Sequence, residues 1–276
     1  MEKEHHKRVD IYLEKGAEEL LPEEIYNYGG KGIWIEDYGD SRVIRCYPDN
    51  IGFFLDVLKD SGIEIKNITI EEEIPLDYPE ITRRYFKTIT VGGVKIVPPW
   101  AKKIPPGALI IDPGMAFGTG RHESTKIMMK LMGKIDLHDK NVIDIGCGSG
   151  ILSIYAVMLG ASPVVAVDND PDAVLSAKRN AILNRIENIH FVCADLNDVS
   201  GSFDVCLANL DIGIFQKNVK KIGMVIKKDG YLVISGILKR ERRLVGEIFR
   251  GFEVIFEDYK NSWMGMILKY LHSPIR

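Results

Sequence analysis

The chain has 276 residues, 46% apolar and 27% charged, with a formal net charge of −3. That length is comfortable for two domains, and the balance supports buried cores rather than disorder. There is no apolar run long enough to span a membrane, the charged MEKEHHKRVD start is no signal peptide, and Cys46, Cys147, Cys193 and Cys206 form no C-x-x-C pair. No membrane partner, disulfide framework or zinc ribbon is expected, and a reducing cytoplasm is the expected location.

In chain order, the front of the molecule reads strand, helix, strand, strand, helix, strand. Val9, Ile11 and Leu13 alternate with polar residues. Residues 16–27 are helix-like and end at Gly29-Gly30. Ile33 to Ile35 and Val43 to Cys46 flank a turn at Tyr38-Gly39-Asp40. Asn50 is placed to cap a helix with Phe53, Phe54, Val57 and Leu58 on one face, and Ile63, Ile65 and Ile68 to Ile70 form a last strand. This order predicts a small α+β ferredoxin-like sandwich. Residues 1–75 carry 9 Lys+Arg against 18 Asp+Glu, a net of −9, whereas residues 76–276 carry 27 against 21, a net of +6. An acidic front module repels nucleic acid and attracts cationic partners.

Seven of the twelve prolines lie from Pro75 to Pro113. The sequence therefore divides into a module of residues 1–74, a Pro-rich linker of 75–110 and a second module of 111–276. In the latter, apolar runs at 141–145, 163–168, 189–193, 203–208, 231–236, 252–257 and 264–270 alternate with helical segments at 122–133, 150–159, 171–183, 212–226 and 239–249. That alternation predicts an α/β, Rossmann-like sheet of seven strands, mostly parallel. The last two runs are joined only by Asp258-Tyr259-Lys260-Asn261, too short for a helix, and should form an antiparallel hairpin.

The sharpest motif is Val142-Ile-Asp-Ile-Gly-Cys-Gly-Ser-Gly150, an apolar strand running into a glycine-rich turn and then a helix. Glycines let a backbone approach a ligand closely, and the helix start offers free amides. A dinucleotide uses such a turn but wants G-x-G-x-x-G, and Ile151 stands at the third glycine position. Asp144 would repel a phosphate yet suits a cation, such as the sulfonium and ammonium of S-adenosylmethionine. Asp168, ending the next strand in VVAVDND, can accept hydrogen bonds from both ribose hydroxyls. Asp170, before Pro171, reads as a helix cap. Asp195, after Cys193-Ala194, stands where this fold often places an acid near the adenine amino group; a loop cap is the other reading. Asn209, at the end of Phe203-Asp-Val-Cys-Leu-Ala-Asn209, lies at the switch-point rim, where its amide could orient an incoming amine or hold the methionine part of the cofactor. Upstream, Ile111-Asp-Pro-Gly-Met-Ala-Phe-Gly-Thr-Gly-Arg-His-Glu-Ser-Thr125 reads as a covering loop with Phe117 exposed. No His or Cys stands at ligand spacing to His122, so no metal is expected.

Together these segments resemble the ribosomal protein L11 methyltransferases, a family of class I S-adenosylmethionine-dependent enzymes. DPGMAFGTGRHEST is similar to that family's signature loop, NVIDIGCGSGILSIYAVMLGA to its motif one, and VVAVDNDPDAVLSAKRNAILN, Ala208-Asn209 and YLVISGIL follow in the same order. The resemblance covers nearly the whole chain. It implies cofactor contacts at Thr125, Gly146, Asp168 and Asn209, of which Thr125 comes from the resemblance alone; the motif reading adds Gly148 and Asp195 as cofactor contacts and Asn209 as the catalytic candidate. It implies amine acceptors, lysine side chains and an N-terminal amino group, on a protein of the large ribosomal subunit, and the front module is similar to the family's substrate-recognition domain; the acidity of that module points to a basic protein docked on it, with no stable nucleic-acid partner expected. Arg121, Glu123 and Asp211 depart from the family pattern, and all three lie on the acceptor side. The rival readings are an RNA or small-molecule methyltransferase, which the acidic module disfavours, and a dinucleotide-dependent oxidoreductase, which Ile151 disfavours.

Overall fold

In the computed structural model, which describes residues 6–21, 25, 33–48, 50–73, 86–113 and 118–271, the chain divides into two units, residues 1–85 and 86–276. In the first, β1 (His6–Glu14), β2 (Ile33–Tyr38), β3 (Ser41–Cys46) and β4 (Ile65–Glu73) form an antiparallel sheet in the order β2-β3-β1-β4. The alternation in β1 puts Val9, Ile11 and Leu13 on one buried face, against Phe54 and Leu58 of α1 (Ile51–Asp60). Asn50 caps α1 by accepting from the Phe53 amide at 3.1 Å. Phe53 itself is 46% exposed, because the helical repeat aligns positions 54 and 58 and carries 53 off that face. The expected helix over 16–27 begins as a 3-10 turn, Ala17–Leu20, after Gly16; Gly29, Gly30 and most of the rest lie outside the described residues.

The opposite face of this sheet is a row of charges. Asp10 is buried between Arg8, 2.7 Å away, and Arg45, 3.3 Å away. Glu71 pairs with Arg8 at 2.7 Å and Glu36 with Arg45 at 3.0 Å. A buried carboxylate is tolerated when it is held in this way between cations.

The Pro-rich stretch is more ordered than its composition predicts. Residues 74–85 and Phe117 lie outside the described residues, but β5 (Ile89–Val91), β6 (Val94–Val97) and β7 (Leu109–Ile110) form a three-stranded sheet inside the expected linker. Val91, Ile96 and Leu109 are buried in the core of the second unit. Pro98, Pro99, Pro105 and Pro106 fall in the connection between β6 and β7, where no ladder donor is lost. Four of the seven prolines thus mark that connection, while Pro75 and Pro79 lie outside the described residues.

The rest of the second unit follows the predicted alternation. Its elements are α2 (Glu123–Met132), β8 (Val142–Ile145), α3 (Ile151–Met158), β9 (Val164–Asp168), α4 (Pro171–Leu183), β10 (Ile189–Cys193), β11 (Phe203–Asn209), α5 (Ile212–Val225), β12 (Ile226–Leu238), α6 (Arg242–Ile248), β13 (Phe252–Lys260) and β14 (Trp263–Tyr270). The sheet runs β10-β9-β8-β11-β12-β14-β13, with β14 antiparallel to both neighbours and the others parallel. Apolar layers cover both faces. One packs Ile127, Leu131, Ile154 and Ala177 on Val142, Leu207 and Val233. The other packs Phe215, Ile222 and Phe249 on Ile143, Cys206 and Ile234. The final hairpin is tighter than predicted: the ladder continues to Lys260 and Trp263, and Asn261, at φ 51°, makes the turn with Ser262. Among the described residues no helix is long and apolar enough to cross a membrane.

Candidate active site

The chain leaves β8 in one direction to form β9 and β10 and returns on its other side with β11, so the sheet order reverses between β8 and β11. Side chains at the C-terminal ends of these strands face the crevice where such sheets bind ligands. Gly146, Gly148 and Asp168, Asp195, and Asn209 stand at or just beyond these ends.

The glycine bend is shaped by close approach. At Gly146, φ 71°, an added Cβ would lie 2.6 Å from Leu210 Cδ2; at Gly150, φ 76°, it would lie 2.8 Å from Ala177 Cβ and 3.0 Å from its Cα. Gly146 therefore admits Leu210 above the bend, and Gly150 lets α4 press against the start of α3. The Gly146 and Cys147 amides both donate to Val167 O, at 2.8 and 3.0 Å, turning the chain sharply at the end of β8.

Asp168 is tied to this bend. Its Oδ2 accepts from the Gly148 amide at 2.9 Å and its Oδ1 from the Asp170 amide at 3.0 Å. Each oxygen keeps a further lone pair. Asp170 caps α4 by accepting from Asp172 N at 2.9 Å. Beneath the bend, Asp144 is 1% exposed. Ser153 Oγ donates to its Oδ2 at 2.5 Å, and its Oδ1 is buried without a hydrogen-bond partner. Burial pushes this carboxyl up to about 7, the Ser153 hydrogen bonds pull it back in part, and Asp168 adds to the rise. Burial, with Asp144 nearby, also holds the Cys147 and Cys206 thiols well above their ordinary range, so neither is a ready thiolate.

Across the switch point, Thr125 is fully buried in the first turn of α2, and Asn209 Nδ2 donates to its Oγ1 at a long 3.5 Å. Among the described residues, Asn209 Oδ1 is buried with no hydrogen-bond partner. The predicted residues thus gather into two clusters, the bend with Asp168 and the Thr125–Asn209 pair, with Leu210 adjoining both. Asp195 joins neither by a side-chain bond. It is exposed and caps the 3-10 turn Leu196–Asp198, accepting from Asn197 N and Nδ2 at 2.8 Å each. The next strand register still places it beside Asp168, whose carbonyl accepts from Ala194 N at 3.0 Å.

The acceptor-side departures have local roles. Asp211 caps α5, accepting from Gly213 N at 2.7 Å and Ile214 N at 3.1 Å. His122 caps α2: its Nδ1 accepts from Ser124 N at 3.3 Å, and its ring meets Trp263 edge-on at 4.6 Å. Glu123 pairs with Lys126 at 2.7 Å and Lys260 at 3.0 Å; burial works against its charge, but these cations win and hold it below the ordinary carboxylate range. The Arg121 guanidinium lies 5.1 Å from the centroid of the Phe86 ring.

Sequence reasoning passed over Ser149, Asn180 and Asn184. Asn180 is fully buried, with Oδ1 accepting from Asp112 N and Nδ2 donating to Ser149 O, both at 2.8 Å. Ser149 Oγ donates to Gly118 O at 2.6 Å. The available signal was two asparagines one helical turn apart in RNAILN, on a helix where buried amides need partners.

The family model described as ribosomal protein L11 methyltransferase (PrmA) matches residues 55–270. The chain belongs to this family. Among its relatives, the ribosomal protein L11 methyltransferase of Clostridium perfringens (strain SM101 / Type A) is 35% identical over 248 residues, covering 87% of this chain and 78% of the relative. That of Aquifex aeolicus (strain VF5) is 36% identical over 220 residues, covering 78% and 85%. The crystal structure of ribosomal protein L11 methylase from Lactobacillus delbrueckii subsp. bulgaricus superposes with a TM-score of 0.64 at 29% identity, covering 68% of this chain and 100% of that one. The protein is an S-adenosylmethionine-dependent methyltransferase.

This methyltransferase's own residues fit that cofactor. Among the described residues, neither Asp144 nor Asp168 has a Lys or Arg within salt-bridge distance. The uncompensated Asp168 carboxylate at the bend favours a cationic or hydroxyl-bearing ligand group over a pyrophosphate. The buried, unpartnered Asn209 Oδ1 provides an acceptor for a ligand N–H. Among the described residues no cluster of three His, Cys, Asp or Glu could hold a metal.

Proposed function

We propose that the chain methylates amino groups of ribosomal protein L11, with the cofactor held by Gly146, Gly148, Asp168 and Asp195 on one side of the switch point and by Thr125 and Asn209 on the other. The observation that carries this reading is the buried Asn209 Oδ1, which lacks a partner at the crevice rim beside the Thr125 hydroxyl. Asp168 offers a lone pair from each oxygen to the ribose hydroxyls while its backbone bonds hold it rigid. Asp195, with Oδ1 engaged by Asn197, keeps Oδ2 for the adenine amino group.

When bound, S-adenosylmethionine supplies an electrophilic methyl group on a positively charged sulfur. The chain's work is then alignment and desolvation. A lysine ammonium has an ordinary pKa of about 10.4 and must lose a proton before it can attack. Transfer from water to an apolar rim lowers that pKa. Asn209 Oδ1 accepts a remaining amine hydrogen and so aims the nitrogen lone pair.

The acidic first unit serves as the dock for a basic protein. Among the described residues most of its cations are committed: Arg8, Arg42, Arg45, Lys15 and Lys66 all pair with acids of the same unit. Acids such as Asp56, Asp60, Glu64 and Glu72 are exposed. A cytoplasmic location accords with this substrate and with four free cysteines.

The test is methyl transfer by the full chain onto purified L11, with the modified amines mapped by mass spectrometry. Methyl groups on lysine or N-terminal amines are expected. The KM for L11 should rise with salt while kcat holds, since exposed charges are screened within about 10 Å at 0.1 M. Transfer to RNA but not to L11 would refute the reading.

A further inference from the structure

We propose that Asn180, acting with Ser149, is a positioning residue that holds both ends of the signature loop against the glycine bend and thereby sets cofactor affinity. The geometry is a surrogate sheet ladder. Asn184 Oδ1 accepts from Ile110 N at 2.8 Å, and its Nδ2 donates to Ile110 O at 2.6 Å. Asn180 Oδ1, one helical turn earlier, accepts from Asp112 N at 2.8 Å. Four residues of helix rise about 6 Å, and two residues of extended chain about 6.6 Å. Asparagines four apart, Asn180 on α4 and Asn184 at its C-cap, therefore match alternate residues of the segment leaving β7, and this end of α4 stands in for the next strand. The second half of the Asn180 amide reaches the bend, with Nδ2 donating to Ser149 O at 2.8 Å. Ser149 then grips the later part of the loop through Oγ to Gly118 O at 2.6 Å.

The side-chain chemistry is specific. Asn180 is fully buried and Ser149 nearly so. Only an amide both accepts from one buried backbone group and donates to another at this length. An aspartate would keep the bond from Asp112 N but turn an acceptor toward Ser149 O. A leucine would leave both backbone groups buried and unbonded. α4 also starts three residues after Asp168, so one rigid helix joins the acid proposed for the ribose to the anchor of the loop.

This inference rests on the cofactor assignment, and three measurements separate the two. Ser149→Ala, Asn180→Asp and Asn180→Leu are compared with the parent protein by calorimetric binding of S-adenosylmethionine and S-adenosylhomocysteine. Thermal unfolding and hydrogen exchange of the Asp112 amide are read on the ligand-free protein. Val174→Ala, a buried truncation on the same helix away from the loop, controls for lost stability. Each lost bond should raise the Kd roughly 3- to 10-fold. Asp112 exchange should accelerate about tenfold or more in Asn180→Leu and stay slow in Asn180→Asp, where the acceptor remains. Val174→Ala should lower the melting temperature and leave the Kd unchanged. Unchanged affinity in Ser149→Ala and Asn180→Asp, or an equal loss in Val174→Ala, overturns the positioning role. Failure of the parent protein to bind either ligand overturns the cofactor assignment itself, and the inference with it.

Discussion

Asp144 should make the protein less stable as the pH rises through neutrality. Its carboxyl is sealed beneath the glycine bend, with one oxygen bonded to Ser153 and the other unpartnered. Burial raises its pKa from 3.8 to about 7. The native state therefore holds a proton that the unfolded chain has already released between those two values. Stability from this group is complete below about pH 4 and is lost as the pH climbs to about 7. The span corresponds to about 4 kcal/mol as an upper bound, with a slope of at most about 1.4 kcal/mol per pH unit. Asp144→Asn keeps the size, and its amide oxygen still accepts from Ser153, but it carries no titrating proton. Urea unfolding of both proteins from pH 5 to 9 should show the variant gaining on the parent up to about pH 7, after which the difference levels off. Ser153→Ala removes a bond to the charged form and should shift the fall of stability to higher pH. Parallel stability curves for Asp144→Asn and the parent would refute the argument, because they would mean that the buried carboxyl does not change its ionisation in this range.

Asp168→Ala removes the acceptors for the Gly148 and Asp170 amides together with the proposed ribose contacts, and should weaken S-adenosylmethionine binding by tenfold or more, roughly one to two charge-assisted bonds; calorimetry showing parental affinity would exclude it from the site. Gly150→Ala meets Ala177 at 2.8 Å and forces a side chain into φ 76°, which should cost about 1–3 kcal/mol in urea unfolding. Asp211→Ala should cost about 1 kcal/mol of stability through the lost α5 cap, with little change in KM for the protein acceptor. A raised KM at unchanged stability would instead assign it to the acceptor.

The cofactor bend was legible because its determinants are local. An apolar strand, three alternating glycines and an apolar helix stand within one short stretch, and the structure forms each in place. The same holds for caps at Asn50 and Asp170, where a side chain bonds an amide two or three residues on. The start of the front helix and the strands within the Pro-rich stretch were not legible, because helix periodicity and proline density are weak evidence when competing local forms exist. Gly16 opens a 3-10 turn instead, and the short runs around Gly92-Gly93 become strands once the second unit's core buries them.

By itself the sequence determined the strand–bend–helix unit, the alternation of strands and helices and the acids that end two of the strands, since each rests on chemistry between near neighbours. Only the tertiary structure decided that Asn209 meets Thr125 across 84 positions and that Asn180 bonds Asp112 across 68. A side-chain amide carries the same donors and acceptors wherever it stands. Its partner is chosen by which faces the packed sheet brings together, and no local pattern records that choice.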